Sequence, residues 1–336
     1  MPHNFIPNPP NCTRHPWRNI QSLSWRSVAL ASPHLWARLH VGFSDAYRSP
    51  KTPKQLENNM LESEEEVQNR LSKASQTLEL RCHGVEDWLA RSASCPLSLS
   101  IYYNRQPSRS NERTTEPSFE YWDLTHRLFT TIISSSERWR TIELKMPFGM
   151  LLKFDAMIQK SSIVLPALRS LKTQVTYIAE GLNNWSGTMT LFSASNLQQL
   201  SLAYRYPSSF LTATQLNSYA ARGQHITHLN WHFPLPVIHA FNLLRSLGNL
   251  VYCQIRFDSA EPTTALRNSG NVFNTPAVLP HLLAFFIDDF CDDRHLVTDF
   301  YSSIEAPKLN GFNIGKMKAG KLIMKVCYRP PFLHFF

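Results

Sequence analysis

Glycine is scarce in this chain, with eleven in 336 residues, and none of them builds a G-x-G-x-x-G, G-x-x-x-x-G-K-[ST] or G-x-S-x-G run. Backbone that must approach a phosphate closely, or turn sharply under a nucleophile, needs such glycines. Their absence excludes the common nucleotide-binding and serine-hydrolase signatures. No apolar stretch approaches the 18 residues that a membrane helix requires, and Met1–Pro10 carries four prolines instead of a charged start and an apolar run. The six cysteines (Cys12, Cys82, Cys95, Cys253, Cys291, Cys327) form no C-x-x-C pair, which fits reduced thiols in a cytoplasmic or nuclear protein better than a disulfide frame. Net charge is +9, yet the basic residues are dispersed (Arg14, Arg18, Arg26, Arg38, Arg48) and form no Lys/Arg block. Neither a nucleic-acid nor a membrane partner is expected from this pattern.

What the chain does have is a repeated apolar-x-x-apolar-x-apolar pattern. It reads Trp139/Ile142/Leu144, Leu168/Leu171/Thr173, Leu197/Leu200/Leu202, Ile226/Leu229/Trp231, Leu250/Cys253/Ile255, Leu282/Phe285/Ile287 and Leu309/Phe312/Ile314. The central positions 142, 171, 200, 229, 253, 285 and 312 lie 29, 29, 29, 24, 32 and 27 residues apart. Each unit offers a short strand with its apolar residues inward, then a segment long enough for a helix on the other side. The spacing lies in the leucine-rich-repeat range, so the expected fold is α/β: a leucine-rich-repeat-like solenoid of about seven irregular units, with a small N-terminal helical part. The repeats are degenerate, since none carries the Asn or Cys that usually follows the strand.

Along the chain, residues 1–16 are rich in Pro and Asn and read as disordered. A helical spacing follows at Trp17, Ile20, Leu23, Val28 and Leu30, and Ser32-Pro33 opens a second short helix with Leu35, Trp36 and Leu39 as its apolar face. Residues 49–84 form a charged linker whose Leu56, Met60, Val67, Leu71, Ala74 and Leu78 fall on one helix face, with Gly84 as its stop. From residue 85 onward the repeat domain begins, with a helical turn at Val85, Trp88 and Leu89, an alternating strand at Leu97, Leu99 and Ile101, and a helix containing Phe129 and Ile133. Together these would cover the first repeat. Glu261–Pro276 is the longest loop within the array.

Two polar clusters invite a chemical reading. Asp288, Asp289, Asp292 and Asp293 form D-D-x-x-D-D, but no second metal motif stands at a useful distance and the first pair directly follows a strand. His225, His228 and His232 have ligand-like spacing, with His281 as a distant fourth; the strand register, however, puts His228 and His232 on an outward face. The expectation is no catalytic residue, no metal and no cofactor. That outward face carries the candidate target-binding set: His228, Asn230, His232, Tyr252, Gln254 and Arg256. Aromatic, amide and guanidinium groups are the usual currency of recognition surfaces.

Three stretches resemble a known family. Trp25-Arg26-Ser27-Val28-Ala29-Leu30 followed by Pro33-His34-Leu35-Trp36 resembles the second half of an F-box. Trp88-Leu89-Ala90-Arg91-Ser92 with Cys95-Pro96-Leu97-Ser98-Leu99 is similar to the segment that follows the F-box in basidiomycete-type F-box proteins with repeats, and Arg138-Trp139 before a strand recurs there too. The resemblance spans roughly residues 17–336, with residues 17–48 as partial F-box-like helices. It implies a non-catalytic substrate-recognition subunit of an SCF-type ubiquitin ligase, docking on a Skp-family adaptor and through it on the cullin scaffold. The adaptor-binding residues would be Trp25, Val28, Leu30, Pro33, Leu35 and Trp36, and the repeats would hold the target. This chain departs from the family at the start, since nothing between Met1 and Trp17 offers the leucine-proline opening of the first F-box helix. The alternative is a repeat scaffold for protein–protein binding that has lost ligase coupling.

Overall fold

The computed structural model describes residues 27–43, 63–103, 122–161, 163–176, 189–204, 223–257, 273–288 and 294–315. Its elements are β1 (Arg38–Phe43), α1 (Glu64–Arg91), β2 (Leu97–Tyr103), α2 (Trp122–Ile133), β3 (Trp139–Met146), α3 (Phe148–Lys160), β4 (Ser170–Val175), β5 (Gln199–Tyr204), β6 (His228–Leu235), α4 (Val237–Ser246), β7 (Tyr252–Phe257), β8 (Ala277–Val278), β9 (Ala284–Asp288), α5 (Arg294–Ser302), β10 (Ile304–Glu305) and β11 (Gly311–Gly315). Short 3₁₀ turns occupy Pro33–Trp36, Ser136–Arg138 and Thr190–Ser193. The fold is mixed α/β. Nine strands form one parallel sheet in the order β1-β2-β3-β4-β5-β6-β7-β9-β11, which is their order along the chain. A small parallel pair, β8 with β10, stands apart from it.

The central apolar positions meet one another in register: Ile142 opposite Leu171, Leu171 opposite Leu200, Leu200 opposite Leu229, Leu229 opposite Cys253, Cys253 opposite Phe285 and Phe285 opposite Phe312. All but Phe312 are buried; Phe312 is half-buried on the last described strand. Thr173 takes a core position although polar, and is only 2% exposed.

An apolar-x-x-apolar spacing violates the two-residue period of a strand, and the backbone shows where the extra residue goes. The carbonyl of the first x residue receives two successive N–H groups from the next unit. Arg169 O accepts from Gln198 and Gln199, Gln198 O from Thr227 and His228, Thr227 O from Val251 and Tyr252, Val251 O from Leu283 and Ala284, and Leu283 O from Asn310 and Gly311, all at 2.8–3.2 Å. Just before each of these strands the chain makes the same i to i+3 turn, closed by the N–H of Leu168, Leu197, Ile226, Leu250, Leu282 and Leu309 on the carbonyl three residues earlier. Turn and doubled carbonyl together let both the first and second apolar residues face the core.

The sheet's inner face packs on the helices in one continuous core. Phe154 of α3 stacks on Trp139 at 6.1 Å and meets Phe129 of α2 edge-on at 4.9 Å, while Phe300 of α5 meets Phe241 of α4 and Phe257 of β7. Each such side chain contributes about 1.5–3 kcal/mol by leaving water. Helix α1 begins with a capping box, in which Ser63 Oγ accepts from Glu66 N and Glu66 Oε2 accepts from Ser63 N. Its buried stripe Ala74, Leu78, Cys82, Val85 and Leu89 has the 4, 4, 3, 4 spacing of one helix face.

Three expectations are corrected here. Gly84 does not end the linker helix: α1 runs through it to Arg91, because Val85 and Leu89 continue the apolar stripe and hold the turn on both sides in place. The boundary expected between residues 84 and 85 therefore falls within one helix. Leu39 is not on a helix. It is an inward residue of β1, which joins the sheet edge beside β2, so the segment 17–48 is helical only in part: residues 27–30 and the 3₁₀ turn Pro33–Trp36 precede a strand. Ser32 makes no side-chain cap to that turn, its hydroxyl donating instead to Val28 O at 2.8 Å. Residues 1–16, expected to be disordered, and most of the Glu261–Pro276 loop lie outside the described residues.

Candidate binding face and N-terminal junction

Strand alternation divides the residues of β6 and β7 between core and outer face. His228, Asn230 and Pro234 pair with Tyr252, Gln254 and Arg256, and the two extra residues His232 and Phe233 form a bulge between Trp231 and Pro234. The six residues singled out as target-binding candidates are thus brought together on one face. His228 is exposed and the other five are half-buried. His228 stacks on Tyr252 with ring centres 6.1 Å apart, and Tyr252 tilts against Phe286 of β9 at 5.4 Å, so an aromatic row crosses three strands. Tyr252 Oη donates to Gln254 Oε1 at 3.3 Å. Asn230 Oδ1 is buried and accepts no hydrogen bond from the described residues. Burial holds the His232 imidazole below its ordinary pKa; Asp288 opposes this and Arg256 adds to it.

Among the described residues no three His, Cys, Asp or Glu side chains are arranged to hold an ion. His228 is engaged with Tyr252 and Thr227, and Asp288 ends β9 on the outer face; Asp289, Asp292 and Asp293 lie outside the described residues.

Farther along the same face, Lys172 Nζ donates to Glu143 at 2.6 Å. Burial works to raise the Glu143 pKa, but hydrogen bonds from Lys172 and Tyr102 hold it below the usual carboxylate value, and the same bond raises that of Lys172.

The second site is the junction where the three family-like stretches converge. Trp36 and Trp88 meet edge-on at 4.8 Å, and the Arg91 guanidinium lies over the Trp36 ring at 4.9 Å. Trp36 Nε1 donates to Ala29 O at 2.8 Å. Arg138 closes the other side, where its guanidinium donates to Ser92 Oγ at 3.0 Å, to Ala93 O just beyond the end of α1 and to Leu89 O in its last turn. Ala93 has φ 45°, a left-handed conformation that this clamp holds in place. Cys95 Sγ and His34 Nδ1 are 3.5 Å apart at the same seam.

The adaptor-binding candidates separate accordingly. Trp36 and Pro33 are half-buried, whereas Val28, Leu30 and Leu35 are exposed, Leu35 to 62%; Trp25 lies outside the described residues. Sequence reasoning took Arg138-Trp139 as a motif without giving the arginine a partner, because its acceptors lie more than forty residues away. It also missed Asp155, a buried carboxylate on α3 that accepts the N–H groups of Thr190 and Leu191 at 3.0 and 2.9 Å. Burial raises its pKa, and those two bonds counter the shift. A lone Asp within an apolar helix face was the available signal.

No family model, no curated protein and no solved structure matches this chain. Among the described residues no helix is long and apolar enough to cross a membrane.

Proposed function

We propose that the chain is a non-catalytic substrate receptor of an SCF-type ubiquitin ligase: a leucine-rich-repeat-like solenoid holding a target on its outer strand face, with an F-box-like N-terminal segment docking on a Skp-family adaptor. The observation that carries this reading is the junction. Stretches 25–36, 88–99 and 136–139 are grouped by family resemblance alone, and their described residues meet as one set of contacts through Trp36, Trp88, Arg91, Ser92 and Arg138. A receptor needs such a joint, because catalysis by proximity requires the adaptor-bound end to be held at a fixed position relative to the target-bound end. The repeated turns and in-register apolar positions support the solenoid part of the reading. Ligation chemistry would reside in the rest of the ligase, and this chain would contribute effective concentration.

Trp36 is committed to Trp88 and to Ala29 within the chain, so adaptor docking falls on Val28, Leu30 and Leu35. Affinity purification of the full chain should recover adaptor and cullin, and Leu35→Asp should abolish that recovery at unchanged melting temperature. On the other face, Tyr252→Ala combined with Arg256→Ala should remove the target while retaining the adaptor. Failure of the wild-type chain to bring down an adaptor sinks the ligase reading and leaves the repeat scaffold without ligase coupling. Retention of every partner by the double variant removes the β6–β7 face as the target site.

A further inference from the structure

We infer that the target reaches the first half of the strand face through an acidic, extended polypeptide segment, with Arg38, Arg140, Lys145, Arg169 and Lys172 as its counter-charges. This rests on reading the outer face as the protein-binding surface, and it names the partner's chemistry there. In sequence these five cations are spread over 135 residues and form no block. Register gathers them. Arg38 pairs with Ser98, which pairs with Thr141 beside Arg140; Lys145 lies between Tyr102 and Gln174; Lys172 is opposite Glu143; and Arg169 N donates to Arg140 O across the strand starts. Strands lie about 4.8 Å apart, so the set falls within a patch roughly 15 Å across. Four of the five residues are exposed and Lys145 is half-buried.

The charge balance of the patch is one-sided. Among the described outward positions of β1 to β5, Glu143 is the one carboxylate, and Lys172 and Tyr102 already engage it. That leaves a local excess of positive charge, which attracts a complementary chain and speeds its encounter. The occupant is polypeptide and not nucleic acid for two reasons. The centre of the patch already holds a lysine–carboxylate pair, Lys172 with Glu143 at 2.6 Å, so the spacing of this face suits pairs of that kind. Among the described outward positions of β1 to β5 the one aromatic, Tyr102, is tied to Glu143, so these positions offer no stacked-base platform of the kind single-strand binders use. Toward β6 to β9 the face turns aromatic and amide-rich through His228, Tyr252, Gln254 and Phe286, so the acidic stretch would be followed by an apolar or aromatic anchor.

The test uses the full chain and a fluorescein-labelled (Glu-Ser)5 peptide, with (Gln-Ser)5 and a twelve-nucleotide RNA as comparisons, read by anisotropy. Saturable binding of the acidic peptide is expected, weakening at least tenfold in Lys145→Glu with Arg169→Glu and between 50 and 200 mM salt, about the steepness several charge contacts produce. Arg38→Ala with Arg140→Ala changes exposed side chains alone, and should weaken binding in the same direction at unchanged melting temperature. No saturable binding, binding insensitive to either pair of substitutions, or RNA bound more tightly than the peptide and lost in the same variants each overturns the inference. If partner recovery still depends on Tyr252 and Arg256 while the peptide fails, the acidic chemistry falls and the binding face stands; if both fail, the face itself falls.

Discussion

Arg138→Met removes the guanidinium that closes the junction while keeping the aliphatic stem. Two of its bonds are short, to Ser92 Oγ and Ala93 O, and the third, to Leu89 O at 3.5 Å, is weak. A hydrogen bond with a charged partner contributes about 1.5–3 kcal/mol when desolvated. Arg138 is half-buried, and Ser92 keeps a second bond by donating to Leu89 O at 2.7 Å; the lower end applies, giving about 2 kcal/mol for the clamp. At roughly 2–4 °C per kcal/mol for 150–250 residues, with the low end applying to a longer chain, the melting temperature should drop by about 4 °C. Urea denaturation should show the same loss as a shifted midpoint at constant slope. Hydrogen exchange provides the sharper readout: amides of residues 88–95 and 27–37 should lose protection together, while those of β6 and β7 should not. Arg138→Lys should recover less than half of the loss, since one ammonium cannot span three acceptors in the geometry of a planar fork. A loss below about 0.5 kcal/mol, or exchange that rises equally in all strands, would refute the clamp as the element that ties the end of α1 to the start of β3.

Leu229→Ala should destabilise by about 2–5 kcal/mol, because Leu229 is buried between Leu200 and Cys253; the outward neighbour His228→Ala should stay within about 0.5 kcal/mol, and equal losses in denaturant would show that the two faces have been assigned wrongly. His232 has a folded pKa held below its ordinary value of about 6.5, so the unfolded chain takes up the proton first and the stability it contributes is lost as pH falls below about 6.5. His232→Gln should therefore flatten the decline in melting temperature between pH 7.5 and 5.5, and a slope identical to that of the wild type would contradict the burial argument.

The strand set and its inward residues were readable because repeated local spacing encodes them: every central position from Ile142 to Phe312 found the partner that the pattern implies. Elements that depend on contacts across the chain were not readable. Gly84 looks like a stop in a local window, yet the helix continues because the sheet and α2 bind both of its flanking turns. Leu39 follows a Pro-led turn and reads as helical, yet the edge of β2 offers it hydrogen bonds that no neighbour in sequence reveals. The pair β8 and β10 consists of two residues each, too few to leave a period. On the outer strand face the residue identities were legible, since outward positions follow from inward ones. Their grouping into an aromatic half and a basic half was not, because it arises from register between strands and not from order within any of them.

The turn that precedes each strand has a consequence for how such a chain can change. In a sheet a slip of one residue exchanges the two faces of a strand, so an insertion ahead of a strand would ordinarily scramble both core and surface. Here β4, β5, β6, β7, β9 and β11 are each preceded by a turn that anchors the first apolar residue, and in the last five of them two successive amides at the strand start share one carbonyl of the neighbouring unit. Register is set afresh at every unit, which is how connections can differ in length while Leu171, Leu200, Leu229 and Cys253 stay aligned. Length variation is absorbed between strands, and outward side chains can be exchanged one at a time without disturbing the layer beneath. The outer face can thus change by point substitution and the connections by insertion, as two independent changes.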